Sequence, residues 1–254
     1  MDRELVRRGI ARSRAEASAL IEAGSIRVGD LPAPKVTSLV DAVTPIHVVG
    51  PPPKYVSRGG VKLEGALDTF GVDPSGRHCL DVGASTGGFT DCLLQRGARS
   101  VVAVDVGYGQ LDDRLAGREE VTVVDRTNIR WADPEALGAP FDLVVGDLSF
   151  ISLCTVADVL RSTVRDDGEL VLLVKPQFEV GRGRVGRGGI VRDESDRRQA
   201  LAAVVECLMS AGLGTVATCL SPITGAKGNV EYFVHVRPTP AVPDAPGPDT
   251  GSGR

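Results

Sequence analysis

Lys175 closes a run of five apolar residues, Leu170-Val-Leu-Leu-Val174, and Pro176 follows it. An unpaired ammonium is costly to bury, so this lysine belongs at a strand tip, where Pro176 ends the strand. Asp147 closes a second apolar run, Leu143-Val-Val-Gly. Lys62 stands in Ser57-Arg-Gly-Gly-Val-Lys62, and Glu231 in Gly228-Asn-Val-Glu231-Tyr-Phe. Two amines and two carboxylates suit proton handling. A neutral lysine can take the proton of a poor nucleophile such as a hydroxyl. A free lysine keeps its own proton to about pH 10.4, so a base of this kind needs a half-buried site shared with other charge. The competing reading is a purely structural Lys175–Asp147 ion pair.

A second constellation is Cys79-Leu-Asp-Val-Gly-Ala-Ser-Thr-Gly-Gly-Phe89. A short apolar strand ending in an acid runs into a glycine turn, Gly83 to Gly88, and then into a helix. This is the opening unit of a nucleotide-binding α/β fold. The dinucleotide fingerprint needs a second glycine where Ser85 stands, which argues against a pyrophosphate. The remaining pattern suits S-adenosylmethionine, which has no phosphate to cradle. Ser100-Val-Val-Ala-Val-Asp105 and Val121-Thr-Val-Val-Asp125 are further strands with acidic ends. Such an acid can accept ribose hydroxyls, or it can cap the next helix. The expected cofactor contacts are Asp81, Gly83, Ala84, Ser85, Gly87, Gly88, Asp105 and Asp125.

The elements that must position these residues alternate along the chain. Strands are predicted near 78–82, 100–105, 121–125, 141–147, 169–175, 214–220 and 229–236. Helices fall between them, the clearest at 152–164 and 193–211. Alternation of this kind gives a parallel sheet covered by helices on both faces. In such sheets ligands lie at the carboxyl ends of the strands, which brings Asp147 and Lys175 to the crevice of the glycine turn. Ahead of this succession, residues 2–24 read as two short helices, with Ser13 and Glu16 as a capping box, and Ser25 to Asp30 as a strand into a turn.

The composition is that of an ordinary globular chain, 42% hydrophobic and 24% charged over 254 residues. The net charge of −4 hides an asymmetry. Residues 1–62 hold ten bases against six acids, a net +4, and the remainder holds nineteen against twenty-seven, −8. A basic head on an acidic body suits a polyanion-binding unit. Arg3, Arg7, Arg8, Arg12, Arg14, Arg27 and Arg58 are its candidate phosphate contacts; a solvated helix face is the plainer reading. Five scattered cysteines without a C-x-x-C pair suggest reduced thiols in a cytosolic protein. The three histidines suggest no metal site. The chain opens on no signal-peptide pattern, and no apolar run of about 18 residues suggests a membrane span. Phe150 could stack on a displaced base or sit in a core. The loop Gly181 to Gly189, with three arginines, could clamp phosphates or lie free on the surface.

Two resemblances sharpen the reading. Leu5-Val-Arg-Arg-Gly-Ile-Ala-Arg-Ser-Arg-Ala-Glu-Ala and Ile21-Glu-Ala-Gly-Ser-Ile-Arg-Val resemble the small RNA-binding domain named after the fourth protein of the small ribosomal subunit. Lys62, Asp147, Lys175 and Glu231 match the Lys-Asp-Lys-Glu set of the FtsJ-like ribose 2′-O-methyltransferases. With Arg126-Thr-Asn, Asp147-Leu-Ser-Phe-Ile-Ser-Leu, Lys175-Pro-Gln-Phe-Glu-Val-Gly and Gly186-Arg-Gly-Gly-Ile-Val, residues 2–237 resemble the TlyA family of rRNA (cytidine-2′-O)-methyltransferases, some of whose members are labelled haemolysins. The resemblance implies a Rossmann-like class I methyltransferase with a mostly parallel seven-stranded sheet and a small α+β head. It implies S-adenosylmethionine as cofactor, ribosomal RNA of either subunit as partner, and cytoplasmic work. Lys175 becomes the general base, with Lys62, Asp147 and Glu231 beside it. The expected layout is an RNA-binding unit over 1–49, a Pro-rich spacer over 50–57, the catalytic domain over 58–238 and a disordered tail over 239–254. The rival readings are a non-catalytic RNA-binding or ribosome-assembly factor and a membrane-lytic haemolysin.

Overall fold

The structure, a computed structural model, describes residues 1–239 except 12–13, 23, 30, 33–34, 42, 51–52 and 226–227. Arg12, the Ser13 cap, the Glu16 side chain and all of the expected tail beyond residue 239 therefore lie outside the described residues. The head consists of α1 (Asp2–Arg7), α2 (Arg14–Glu22) and a small sheet of β1 (Ile26–Val28), β2 (Leu31–Pro32) and β3 (Ile46–Val48) in the order β2-β1-β3. Leu5, Ala17, Leu20, Ile21 and Ile26 form its own apolar cluster.

The remainder begins with α3 (Gly59–Phe70), β4 (His78–Val82), α4 (Gly88–Gln95), β5 (Ser100–Val104), α5 (Asp113–Ala116) and β6 (Val121–Val124). It continues through β7 (Phe141–Gly146), α6 (Ala157–Thr163), β8 (Val164–Val174), α7 (Pro176–Glu179), α8 (Glu194–Ser210), β9 (Leu213–Leu220) and β10 (Tyr232–Pro238). The strands form one seven-stranded sheet in the order β6-β5-β4-β7-β8-β10-β9. β4 to β8 are parallel, whereas β10 runs antiparallel to both β8 and β9. The apolar runs are continuous because both faces are covered. Cys79, Val101, Leu143, Val145 and Leu173 face α3 and α4, while Leu80, Val102, Val144, Leu172 and Val174 face α6 and α8. The chain leaves β4 for β5 on one side and returns to β7 on the other. That reversal opens a crevice between the carboxyl ends of β4 and β7, the usual ligand position in such sheets.

Three expectations are corrected. The spacer over 50–57 is docked in its second half: Tyr55 is buried in the core of the seven-stranded domain, Val56 N–H donates to Asp91 Oδ2 at 2.8 Å, and Lys54 pairs with Glu64. The prolines suggested a stiff, extended spacer, but an aromatic at its end had a core to enter. The cysteines are not all free. Cys154 and Cys207 form a disulfide with their Cα atoms 5.3 Å apart, because the turn before α6 packs against α8; Cys79, Cys92 and Cys219 remain thiols. The last strand starts at Tyr232, so Glu231 stands just ahead of it.

Asp81 also departs from expectation. It is fully buried beneath the glycine turn instead of facing a ligand. Its Oδ2 accepts from Thr90 Oγ1 at 2.7 Å and its Oδ1 has no hydrogen-bond partner. Burial pushes its carboxyl up to about 7, and the charges of Asp147 and Asp105 push the same way, against the Thr90 hydroxyl. The folded state therefore favours the protonated acid. The stability this gives is full below the ordinary value of 3.8 and is lost as pH rises to about 7. The loss is on the order of 4 kcal/mol. Asp81→Asn should accordingly raise the urea midpoint over wild type at pH 8, with the advantage shrinking toward pH 5. A difference that stays constant with pH would remove Asp81 as the titrating group.

Candidate active site

A cleft of 550 Å³ opens at the carboxyl ends of β4, β7 and β8. Its size is that of a small-molecule site. Gly83, Ala84, Ser85 and Gly88 form one wall, Lys62 and Glu231 another, and Asp147, Ser149, Phe150, Lys175 and Phe178 a third. Two glycines hold these walls together. A Cβ on Gly83, whose φ is +83°, would lie 2.8 Å from the Asp147 carbonyl oxygen. A Cβ on Gly88 would lie 2.2 Å from Ser57 Oγ and 2.9 Å from the Gly60 nitrogen. Lacking side chains, they let the turn touch the end of β7 and the start of α3, the elements that carry Asp147 and Lys62.

All four residues of the sequence-predicted tetrad line the cleft. Lys175 Nζ lies 2.5 Å from Asp147 Oδ1, an ion contact without hydrogen-bond alignment, and donates to Ser149 Oγ at 2.7 Å. Lys62 Nζ donates to Glu231 Oε2 at 2.6 Å, with side-chain exposures of 9% and 2%. Gly225 makes room for this pair, since a Cβ there would lie 1.9 Å from Glu231 Oε1. The arrangement offers one amine at the cleft's edge, held by a half-exposed carboxylate and a hydroxyl, and a second amine locked in a dry ion pair.

The other expected cofactor residues sit around the turn. Gly87, Asp105 and Asp125 do not line the cleft. Asp105 accepts from the Ser85 N–H at 2.8 Å and the Gly107 N–H at 2.7 Å, and Asp125 from the Gly109 N–H at 2.8 Å. These acids brace the loops. Each carboxylate oxygen keeps a second lone pair for a ligand hydroxyl. A cleft floored by main chain, walled by glycines and flanked by Asp105 fits an adenosine-bearing ligand such as S-adenosylmethionine.

The expected RNA contacts are spread. Arg3 is exposed. Arg7 pairs with Glu4 at 2.5 Å and Arg14 with Asp2 at 2.7 Å, yet both stay over 60% exposed. Arg8 is spent internally, on Glu4 and the carbonyls of Asp41 and Thr44. Arg27 is exposed on β1, and Arg58 lines the cleft. Phe150 is 91% exposed at φ +66° and leans on Phe178 at 5.1 Å, which excludes the core reading. In the arginine loop, Val185, Gly188 and Gly189 line the cleft, held by Asn229 Nδ2 donating to the Gly189 carbonyl at 2.9 Å. Arg184 is tied to Asp196 and Gln199 of α8.

Sequence reasoning did not single out Ser149, Phe178, Glu179 or Asn229. Glu179 accepts from Ser152 Oγ at 2.5 Å and the Leu153 N–H at 3.0 Å, so it fastens the loop after β7 to α7. Burial pushes its carboxyl up. Each lies in a quoted motif, but no spacing rule marks a lone polar residue there as a partner of Lys175.

Comparison with known proteins agrees with this geometry. The FtsJ-like methyltransferase profile matches residues 55–237. The chain is 51% identical over 238 residues to the 16S/23S rRNA (cytidine-2′-O)-methyltransferase TlyA of Mycobacterium tuberculosis, covering 93% of this chain and 89% of that one. It is 40% identical over 231 residues to Hemolysin A of Brachyspira hyodysenteriae, covering 89% and 95%. A solved structure from Streptococcus thermophilus superposes with a TM-score of 0.76 at 36% identity, covering 94% of this chain and 88% of that one.

Proposed function

Because the chain belongs to the FtsJ-like methyltransferases and, within them, to the TlyA family, we propose that it methylates the 2′-hydroxyl of a cytidine in ribosomal RNA, with Lys175 as the base. S-adenosylmethionine supplies the methyl group and its electrophilic character. The protein's own work is to hold the ribose, take its proton and keep the reacting atoms in line. Lys175 Nζ accepts the 2′-hydroxyl proton, and Asp147, 2.5 Å away, receives the resulting ammonium as an ion partner. Lys62, fixed by Glu231, presents an N–H donor to the 2′-oxygen. Phe150, exposed over Phe178 at the cleft mouth, stacks on the base turned out of its helix.

Residues 1–49 form the RNA-binding unit in this reading, with Arg3, Arg7, Arg14 and Arg27 toward phosphates and Arg8 as an internal tie. The seven-stranded domain through residue 238, with Lys54, Tyr55 and Val56 docked on it, is the catalytic domain. The function requires the compartment of the ribosome, the cytoplasm. Among the described residues no helix is long and apolar enough to cross a membrane.

The observation that carries the proposal is the Lys175–Asp147 contact inside a cleft bounded by the glycine turn. Purified protein, tritiated S-adenosylmethionine and separate small and large ribosomal subunits test it, with label mapped by nuclease digestion and mass spectrometry. The expected result is label on a cytidine 2′-oxygen. No heat of S-adenosylmethionine binding by calorimetry, with no label in either RNA, would favour the assembly-factor reading instead.

A further inference from the structure

The amine of Lys175 has two oxygens against it, and they do different things. Asp147 Oδ1 is near, at 2.5 Å, but off the hydrogen-bonding axis. Ser149 Oγ, at 2.7 Å, takes an aligned hydrogen bond. Charge comes from Asp147 and direction from Ser149. We infer that Ser149 is a positioning residue for the methyl-transfer reaction, aiming the lone pair of Lys175 into the cleft; this rests on the reading of Lys175 as base.

The geometry follows from the amine itself. A neutral lysine has two N–H bonds and one lone pair in tetrahedral directions. With one N–H fixed on the Ser149 hydroxyl, rotation about the last carbon–nitrogen bond is set, and the negative Asp147 carboxylate turns the lone pair to the direction away from it. Without Ser149, the amine turns about its last carbon–nitrogen bond and the lone pair is no longer held toward a hydroxyl in the cleft. A hydroxyl suits this role better than a second carboxylate, since it orients the amine without adding negative charge beside it.

The backbone supports the placement. Ser149 lies in the loop after β7, and the next residue, Phe150, sits at φ +66°, a left-handed conformation that is strained for a bulky residue. That bend keeps Ser149 over Lys175. Glu179 holds the far side of the loop through Ser152 and Leu153, and Phe178 meets the Phe150 ring. Glu179 and Phe178 stand on the short helix that follows Lys175 directly. Loop and lysine therefore form one braced unit.

The test compares Ser149→Ala, Ser149→Thr and Lys175→Ala in steady-state methyl transfer to ribosomal subunits. Ser149→Ala should lower kcat about tenfold to a hundredfold, a part of the gain that acid–base catalysis supplies, with KM for RNA and Kd for S-adenosylmethionine unchanged. Ser149→Thr, which keeps the hydroxyl, should recover most of the rate. A second readout uses the protein alone. Acylation of Lys175 by a small reagent that enters the cleft, followed by mass spectrometry, should slow several-fold in Ser149→Ala while Lys54 is unaffected, and an unchanged rate at Lys175 would count against the inference. Wild-type kcat in Ser149→Ala, a loss confined to KM, or no rescue by threonine would overturn the inference. An active Lys175→Ala would overturn the base assignment beneath it, and the two failures are thereby told apart.

Discussion

Lys175→Ala should lower kcat for RNA methylation by about 10²–10⁴-fold, the range that a positioned general base supplies. Its affinity for S-adenosylmethionine should stay within a factor of two or so of wild type, because in the proposed reading the cofactor sits against the glycine turn, which forms a different wall of the cleft from Lys175. The fold should survive. Lys175 sits at a strand tip beside Asp147, which keeps 23% side-chain exposure and can turn to water when its partner is gone. Lys175→Arg sharpens the experiment. A guanidinium keeps the positive charge but does not deprotonate in proteins. If charge beside Asp147 were all that mattered, arginine would rescue. If proton removal is the task, Lys175→Arg should be as slow as Lys175→Ala. Methyl transfer at the wild-type rate by the arginine variant would reduce the lysine to an electrostatic support.

Why this lysine was legible in the sequence, and its partner was not, has a physical reason. Five apolar residues before Lys175 and a proline after it specify a buried strand and its last residue, using only local chain. The same local logic gave β4, β5, β6 and β7, whose acids close apolar runs, and the helix at 194–210. Relations between distant segments left no such trace. Ser149 meets Lys175 across 26 residues, and Cys154 meets Cys207 across 53. Whether a strand-end acid faces a ligand or the core is equally a matter of neighbours: Asp81 points beneath the turn to Thr90, while Asp105 braces the turn from outside. The glycines were read as room for a ligand. Gly83 and Gly88 also serve as room for Asp147 and Ser57, segments that local pattern cannot bring together.

The Lys62–Glu231 pair separates structure from chemistry most sharply, because it joins residues 169 apart in the chain in a nearly dry site. Removing one partner leaves an uncompensated buried charge. Lys62→Met or Glu231→Leu alone should each cost about 3–5 kcal/mol of stability, read as a large drop in the urea midpoint. Either single variant would be inactive for two entangled reasons, instability and loss of a site residue. The double variant Lys62→Met/Glu231→Leu disentangles them. It removes both charges and fills the space with apolar groups, a change that is neutral or stabilising by about 1–4 kcal/mol in other buried pairs. Its midpoint should return to wild type or above, and calorimetry should show cofactor binding intact. Methyl transfer should still be down by about a hundredfold or more, since no N–H donor is left to meet the 2′-oxygen. A double variant that is both stable and active would make the pair a mere brace between α3 and the start of β10, and would leave Lys175 and Asp147 to do the chemistry alone.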